Sequence, residues 1–480
     1  MDFRSILSYM GVMLKILGVL SLIPTIISIY FGDGLYPMFL ITAIISFAIG
    51  IILDKSFKKM ELTLGSAMLI TALSFIIISI FGSIPYMFYL EPVDAVFESV
   101  SGFTTTGLTV VNMPQDLPMS LLFWRSFTQW IGGIGILVIF LVLVGSTGMS
   151  SYYLYKAEGG SEKLEASVKH SVRKMFKIYG AYTILGIILL LLVGMPAFDS
   201  LLVSFTSIST GGFAPHSASI AAYNSIWVEL VVIFLMICGA TSFFVHDRIL
   251  RGQLRGKLRL VGGRFLGYVR NPETKFFWVI SVIFFALLSL ALWGVAPDPI
   301  RAGIFQTISA ITTTGFTTMN IASYQVPMFL IIILMIIGGY AGSTAGGLKL
   351  VRVGIILRSF KWVSKRMSYP PEAVMPFKFG KRVIKEHELT MVFLFVCIYI
   401  VLLVVSGVLL IFLDYTPMNS IFLASSAQGT VGLSTIDLAP MVWQGKVLLM
   451  FNMLLGRLEI FPFLVLIYSI LNIGSERDGY

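Results

Sequence analysis

The chain has 480 residues, 57% of them hydrophobic and only 12% charged, with a mean hydropathy of +0.91. Soluble domains carry about 25% charged and 45–50% apolar residues, so this composition excludes an ordinary soluble globular protein. The net charge of +10 is not spread evenly: 27 of the 34 Lys and Arg fall in four segments, 54–59, 156–177, 248–275 and 349–385. Excess Lys and Arg mark cytoplasmic loops, which together with contact to anionic lipid accounts for the charge and argues against a nucleic-acid partner. Arg125, Arg301 and Lys446 are the main exceptions. Cys238 and Cys397 both sit inside apolar spans, where cysteine behaves as a small hydrophobe. His170, His216, His246 and His387 show no ligand spacing.

In chain order, an apolar span at about 7–30 is followed at once by a second at about 36–53. The first lacks a small-residue cleavage site and reads as a retained membrane helix rather than a signal peptide. Four similar units follow. Each has an apolar span (about 63–90, 176–195, 275–295 and 388–413), a stretch of roughly ten residues too short to cross a bilayer, and a second apolar span (about 120–147, 225–247, 327–350 and 443–472),. The expected organisation is an N-terminal helix pair (1–60), repeat 1 (61–150), repeat 2 with its preceding cytosolic loop (151–250), repeat 3 (251–365) and repeat 4 (366–475). An even number of crossings with the basic segments inside places both termini on the cytoplasmic side.

The short stretches end in related motifs: Gly-Phe-Thr-Thr-Thr-Gly-Leu (102–108), Ile-Ser-Thr-Gly-Gly-Phe (208–213), Ile-Thr-Thr-Thr-Gly-Phe (311–316) and Gln-Gly-Thr-Val-Gly-Leu (428–433). Aligned on Gly107, Gly212, Gly315 and Gly432, they lie 105, 103 and 117 residues apart. Each glycine is followed by a bulky apolar residue and preceded two positions back by threonine, and six positions back stands a hydroxyl (Ser101, Thr206, Ser309, Ser426). The short stretches open on Asp94, Asp199 and Asn419, residues suited to helix starts, with Ala302 the exception in the third copy. Each unit therefore reads as outer helix, short pore helix, filter loop and inner helix. The positive-inside pattern gives the four hairpins one orientation, as a ring around one axis requires; many secondary transporters use inverted repeats instead.

Non-helical backbone at membrane depth must be buried in protein or line a cavity, and its carbonyls can then replace an ion's hydration shell. The candidate cation ligands are Thr105, Thr106 and Gly107; Thr210, Gly211 and Gly212; Thr313, Thr314 and Gly315; and Thr430, Val431 and Gly432. No acid stands in these motifs, whereas a divalent ion calls for carboxylates, so a monovalent cation is expected. An intramembrane enzyme would need clustered acids or a His/Asp site; Glu98, Glu229, Arg457 and Glu459 are instead spread over the repeats. Glu98 is expected to hold a filter loop by hydrogen bonds.

Two features bear on gating. The third inner span is interrupted by a run holding Gly338, Gly339, Gly342, Gly346 and Gly347, too many glycines for a regular helix. It is expected to unwind into a loop under the filter, with a tight helix-packing seam as the alternative. A phosphate-binding loop would need a preceding strand and a Gly-Lys-Ser/Thr ending, and neither is present. Arg457 lies within the last inner span, where an ionisable residue implies a function. It either raises a barrier to cations or pins the glycine-rich loop; an ion pair with Glu459 is the plain alternative.

These motifs, with Gly-Gly-Tyr-Ala-Gly-Ser-Thr-Ala-Gly-Gly-Leu-Lys (338–349) and Gly-Arg-Leu-Glu-Ile (456–460), resemble the Trk/Ktr/HKT superfamily of potassium transporters. The TrkH/TrkG type fits best, since the helices before residue 60 resemble its extra N-terminal pair. The resemblance covers roughly 60–475. It implies an all-α polytopic membrane protein in a prokaryotic plasma (inner) membrane, four pseudo-repeats around one pore, K+ as the transported ion and no enzyme activity. It also implies a homodimer, no cofactor in this chain, and a cytosolic TrkA-type regulatory partner that binds nucleotide and docks on 156–177, 248–275 and 349–385. Gly211 departs from the alanine that relatives often carry.

Overall fold

The computed structural model describes residues 3–57, 62–135, 153, 168–251, 271–370, 375–380 and 382–471. Among them, six helices are long and apolar enough to cross a membrane: Arg4–Phe31, Tyr36–Ser56, Leu64–Phe88, His170–Leu192, Pro272–Leu292 and Glu386–Ile411. Their outward faces stay bare: Val282 is 61% exposed, Leu290 72% and Val401 59%. Apolar surface on that scale needs lipid or protein against it, and the chain is a multi-pass membrane protein.

The N-terminal hairpin is zipped by small residues. Gly11 and Gly50 face each other so closely that a Cβ on either would stand 2.6–2.7 Å from the other's carbonyl oxygen, the kind of small-residue seam that lets membrane helices approach. Lys15 and Asp54 pair across it at 2.5 Å.

The four repeats share one plan. Outer helices Leu64–Gly82, Val168–Leu192, Pro272–Leu292 and Glu386–Ile411 each lead to a short helix: Pro92–Phe103, Ala197–Ile208, Pro299–Ile311 and Pro417–Gln428. Twelve or thirteen residues give these a length of about 18–20 Å,, against a hydrocarbon core of about 30 Å. Inner helices Met119–Ile134, Ile226–Ala240, Gln325–Ile337 and Trp443–Arg457 follow. Each inner helix packs on the short helix of its own repeat and on that of the next, with the fourth returning to Pro92–Phe103. That cyclic order closes the ring. In three repeats an inner-helix glycine lies directly on the last turn of its own short helix: a Cβ on Gly132, Gly239 or Gly456 would run into the carbonyl oxygen of Phe103, Ile208 or Gln428.

The sequence predicts one interrupted inner span, the third, and the structure breaks more of them. Ile226–Ala240 turns by 105° into the next helix, and Trp443–Arg457 turns by 114° into Phe461–Leu471. The second bend occurs at Glu459 and Ile460, both left-handed with φ of 57° and 63°. A two-stranded hairpin, Phe377–Phe379 with Arg382–Ile384, is a small addition to the expected all-α architecture.

Between repeats, Arg301 grips Glu229 with two bonds of 2.8 and 2.9 Å, and Lys446 reaches Asp94 at 2.6 Å. Because Gly239 has backbone against it, Gly239→Val is expected to cost about 1–3 kcal/mol through overpacking, read as a lower Tm of the detergent-solubilised protein. An unchanged Tm would show that the inner helix can move aside.

A candidate cation pathway

The loops after the four short helices have one backbone conformation. Thr105, Thr210, Thr313 and Thr430 are left-handed, with φ of 54°, 52°, 54° and 50°. Two residues on, Gly107, Gly212, Gly315 and Gly432 have φ of 90°, 78°, 82° and 91°. A β-branched residue at positive φ is a genuine outlier, and such strain persists only where its surroundings over-determine it.

What holds it is the end of each short helix. The amide N–H of the residue before each glycine donates back to the carbonyl five residues earlier: Thr106 to Ser101 (2.9 Å), Gly211 to Thr206 (2.8 Å), Thr314 to Ser309 (3.0 Å) and Val431 to Ser426 (2.8 Å). The hydroxyls six residues before the glycines add further ties. Ser101 Oγ accepts from Gly107 N–H at 3.0 Å and Ser426 Oγ from Gly432 N–H at 3.1 Å, while Ser309 Oγ donates to the Phe316 carbonyl at 2.6 Å. With the amides turned toward the helices, the carbonyls are left for the other side.

Those carbonyls meet at the axis in cyclic order. A Cβ on Gly107 would strike the Gly211 carbonyl oxygen, one on Gly212 that of Thr314, one on Gly315 that of Val431, and one on Gly432 that of Thr106. The structure thus brings all twelve candidate ligand residues into one cluster, buried except where Gly212, Gly315 and Gly432 reach the cavity. A cavity of about 660 Å³ opens on one side of the glycines, lined also by Thr109, Asn112, His216, Thr317 and Asp437. Glu98 props this mouth: it accepts from the Val110 N–H at 2.7 Å and from Thr109 Oγ1, and Arg125 Nε donates to its other oxygen at 3.3 Å. Asp199 accepts from Tyr223 Oη at 2.8 Å and lies 3.1 Å from His216 Nε2. Burial first, and then the Asp199 carboxylate, push the Tyr223 phenol well above its usual range, so it remains the donor.

On the other side lies the glycine-rich segment 338–349. It hydrogen-bonds across the bend of the second inner helix: Tyr340 N–H to Ala240 O (3.1 Å), Thr344 N–H to Gly239 O (3.2 Å) and Phe243 N–H to Gly342 O (3.0 Å). Gly338 packs on Gly346 and Gly347, Gly339 on Ala345, and a Cβ on Gly342, at φ 69°, would stand 3.4 Å from Ser242 Oγ. The loop touches the left-handed threonines from below. Gly346 N–H donates to Thr313 Oγ1 at 2.7 Å, and Thr210 Oγ1 to Thr344 Oγ1 at 3.2 Å. A Cβ on Gly346 would collide with Thr430. Arg457 attends to the fourth threonine: Nη1 lies 3.4 Å from Thr105 Oγ1 and donates to the Thr344 carbonyl at 3.1 Å, while Nη2 donates to the carbonyls of Gly132 and, at 3.2 Å, Gly133. Glu459 pairs instead with Arg352 at 2.5 Å and lies 3.9 Å from Lys349. Sequence reasoning passed over Thr344 and the Gly132–Gly133 carbonyls. Their signals were a lone β-branched hydroxyl in a glycine run and a doubled glycine at an inner-helix end.

Four equivalent hairpins around one polar axis, sheathed in apolar helices, define a multi-pass membrane transport protein. Residues 36–475 match the model of the TrkH family, described as cation transport proteins, and the chain belongs to that family; it is a transporter rather than an enzyme. It is 34% identical to an uncharacterized cation transporter of Methanocaldococcus jannaschii over 97% of this chain and 95% of that protein. It is 32% identical to the Trk system potassium uptake protein TrkH of Salmonella typhimurium, over 97% and 98% of the two chains. The crystal structure of the potassium transporter TrkH from Vibrio parahaemolyticus superposes with a TM-score of 0.85 at 28% identity, covering 97% of this chain and 98% of that one.

Proposed function

We propose that this chain is the membrane subunit of a potassium uptake system and passes K+ along the axis of its four loops. The observation that carries this reading is the carbonyl ring, in which the residue before each loop glycine faces the glycine of the preceding repeat. Neutral carbonyls replace the hydration shell of a weakly hydrated monovalent ion, and the nearby carboxylate of Glu98 is already committed to Arg125, the Val110 amide and the Thr109 hydroxyl. That relatives are named for potassium uptake supports K+ as the ion.

The mouth with the 660 Å³ cavity faces outward, because the basic residues of Leu350–Met367 lie past the opposite end of the hairpins,; both termini then lie inside. Residues 338–347 form the gate. Arg457 pins it, donating to loop and inner-helix carbonyls alike. The protein works as a homodimer in lipid with a cytosolic, nucleotide-binding TrkA-type partner, which sets the gate through the basic faces. Of the expected docking segments, 156–167, 252–270, 371–374 and 381 lie outside the described residues.

Gly315→Ser is expected to let Na+ compete with Rb+ for uptake into liposomes holding the pure protein, since a side chain at φ 82° displaces the Val431 carbonyl. Uptake by the parent that ignores K+, or a Gly315→Ser variant as resistant to Na+ as the parent, would contradict the filter. Arg457→Ala removes charge-assisted bonds worth about 1.5–3 kcal/mol and is expected to raise basal flux by about tenfold or more. Unchanged or lower flux at equal protein would refute the latch.

A further inference from the structure

The four inner helices are not equivalent where they pass the carbonyl ring. Three positions before the glycine that ends or nearly ends each helix stands Met236 (before Gly239), Met335 (before Gly338) and Met453 (before Gly456), but in the first repeat it is Gln129, before Gly132. All four side chains are buried. Gln129 spends its amide on the loop of the second repeat: Nε2 donates to the Gly211 carbonyl at 2.7 Å, and Oε1 accepts from the Phe213 N–H at 3.0 Å. One helical turn earlier, Arg125 lies over the Phe213 ring at 4.3 Å, so one helix face splints this loop.

Gly211 supplies one of the four axial carbonyls, and its counterparts Thr106, Thr314 and Val431 all carry side chains. Its own φ is not in the left-handed region, so backbone conformation does not call for glycine. Space does: a Cβ there would collide with the carbonyl end of the Gln129 amide. The missing side chain and the extra amide fit each other.

We propose that Gln129 is a positioning residue for ion discrimination, anchoring one axial oxygen of the four against inward movement. This rests on reading the ring as the ion's ligands. A carbonyl oxygen has two lone pairs; the amide takes one, leaving the other for the axis. A ring closing on an ion smaller than K+ must pull its oxygens inward, and at Gly211 that movement breaks a buried hydrogen bond. In the other repeats methionine offers no such bond, so the restraint is one-sided.

The test is Rb+ uptake into liposomes holding the full chain, with Na+ as competitor, for the parent, Gln129→Met, and Gln129→Met with Gly211→Ala. The double variant refills the vacated space as the other repeats do, so it controls for packing. The Na+ concentration that halves uptake is expected to fall about three- to tenfold in both variants, the worth of one amide hydrogen bond. Parent-like Na+ resistance in either folded variant would overturn the proposal, and loss of folded protein in both would make Gln129 a packing residue and end it. A parent that does not itself discriminate would instead bring down the potassium reading.

Discussion

The molecule is organised around the close approach of four carbonyl oxygens to four glycine Cα atoms. At each contact a side chain is excluded twice, by an oxygen already in its place and by a φ near 80–90°. Gly107, Gly212, Gly315 and Gly432 are therefore required before any question of ion chemistry arises. The same contacts link repeat 1 to 2, 2 to 3, 3 to 4 and 4 back to 1, so closing the ring and shaping the axial site are one event.

The rest of the fold supports that ring. The short helices take up the loop amides with their last-turn carbonyls and hydroxyls, and inner-helix glycines let backbone press against those helices. Outer helices present apolar surface to lipid. Beneath the ring, the bend of the second inner helix, the glycine-rich segment of the third and Arg457 of the fourth share hydrogen bonds. A movement in any one of them is therefore felt at the left-handed threonines.

Much of this was legible in the sequence because bilayer and backbone impose blunt demands. Spanning helices need long apolar runs, and a repeated Thr-x-Gly preceded by a hydroxyl is hard to produce four times by chance. The helix bends at Thr241–Ser242 and at Glu459–Ile460 were not legible, because ordinary residues are held there by tertiary hydrogen bonds and no composition signal marks them. Strands of three residues carry too little pattern to read. Gln129 was hidden for another reason: only the neighbouring loop in space shows that its amide fills the room left by Gly211. Arg457 was picked out by its charge in an apolar span, but its carbonyl partners come from distant segments.

The most direct measurement locates the ion itself. Crystals grown in K+ and exchanged into Rb+ or Tl+ are expected to give an anomalous peak on the axis, equidistant from the carbonyl oxygens of Thr106, Gly211, Thr314 and Val431. Peaks confined to the outer mouth near Asp437, or density away from the axis altogether, would contradict the account.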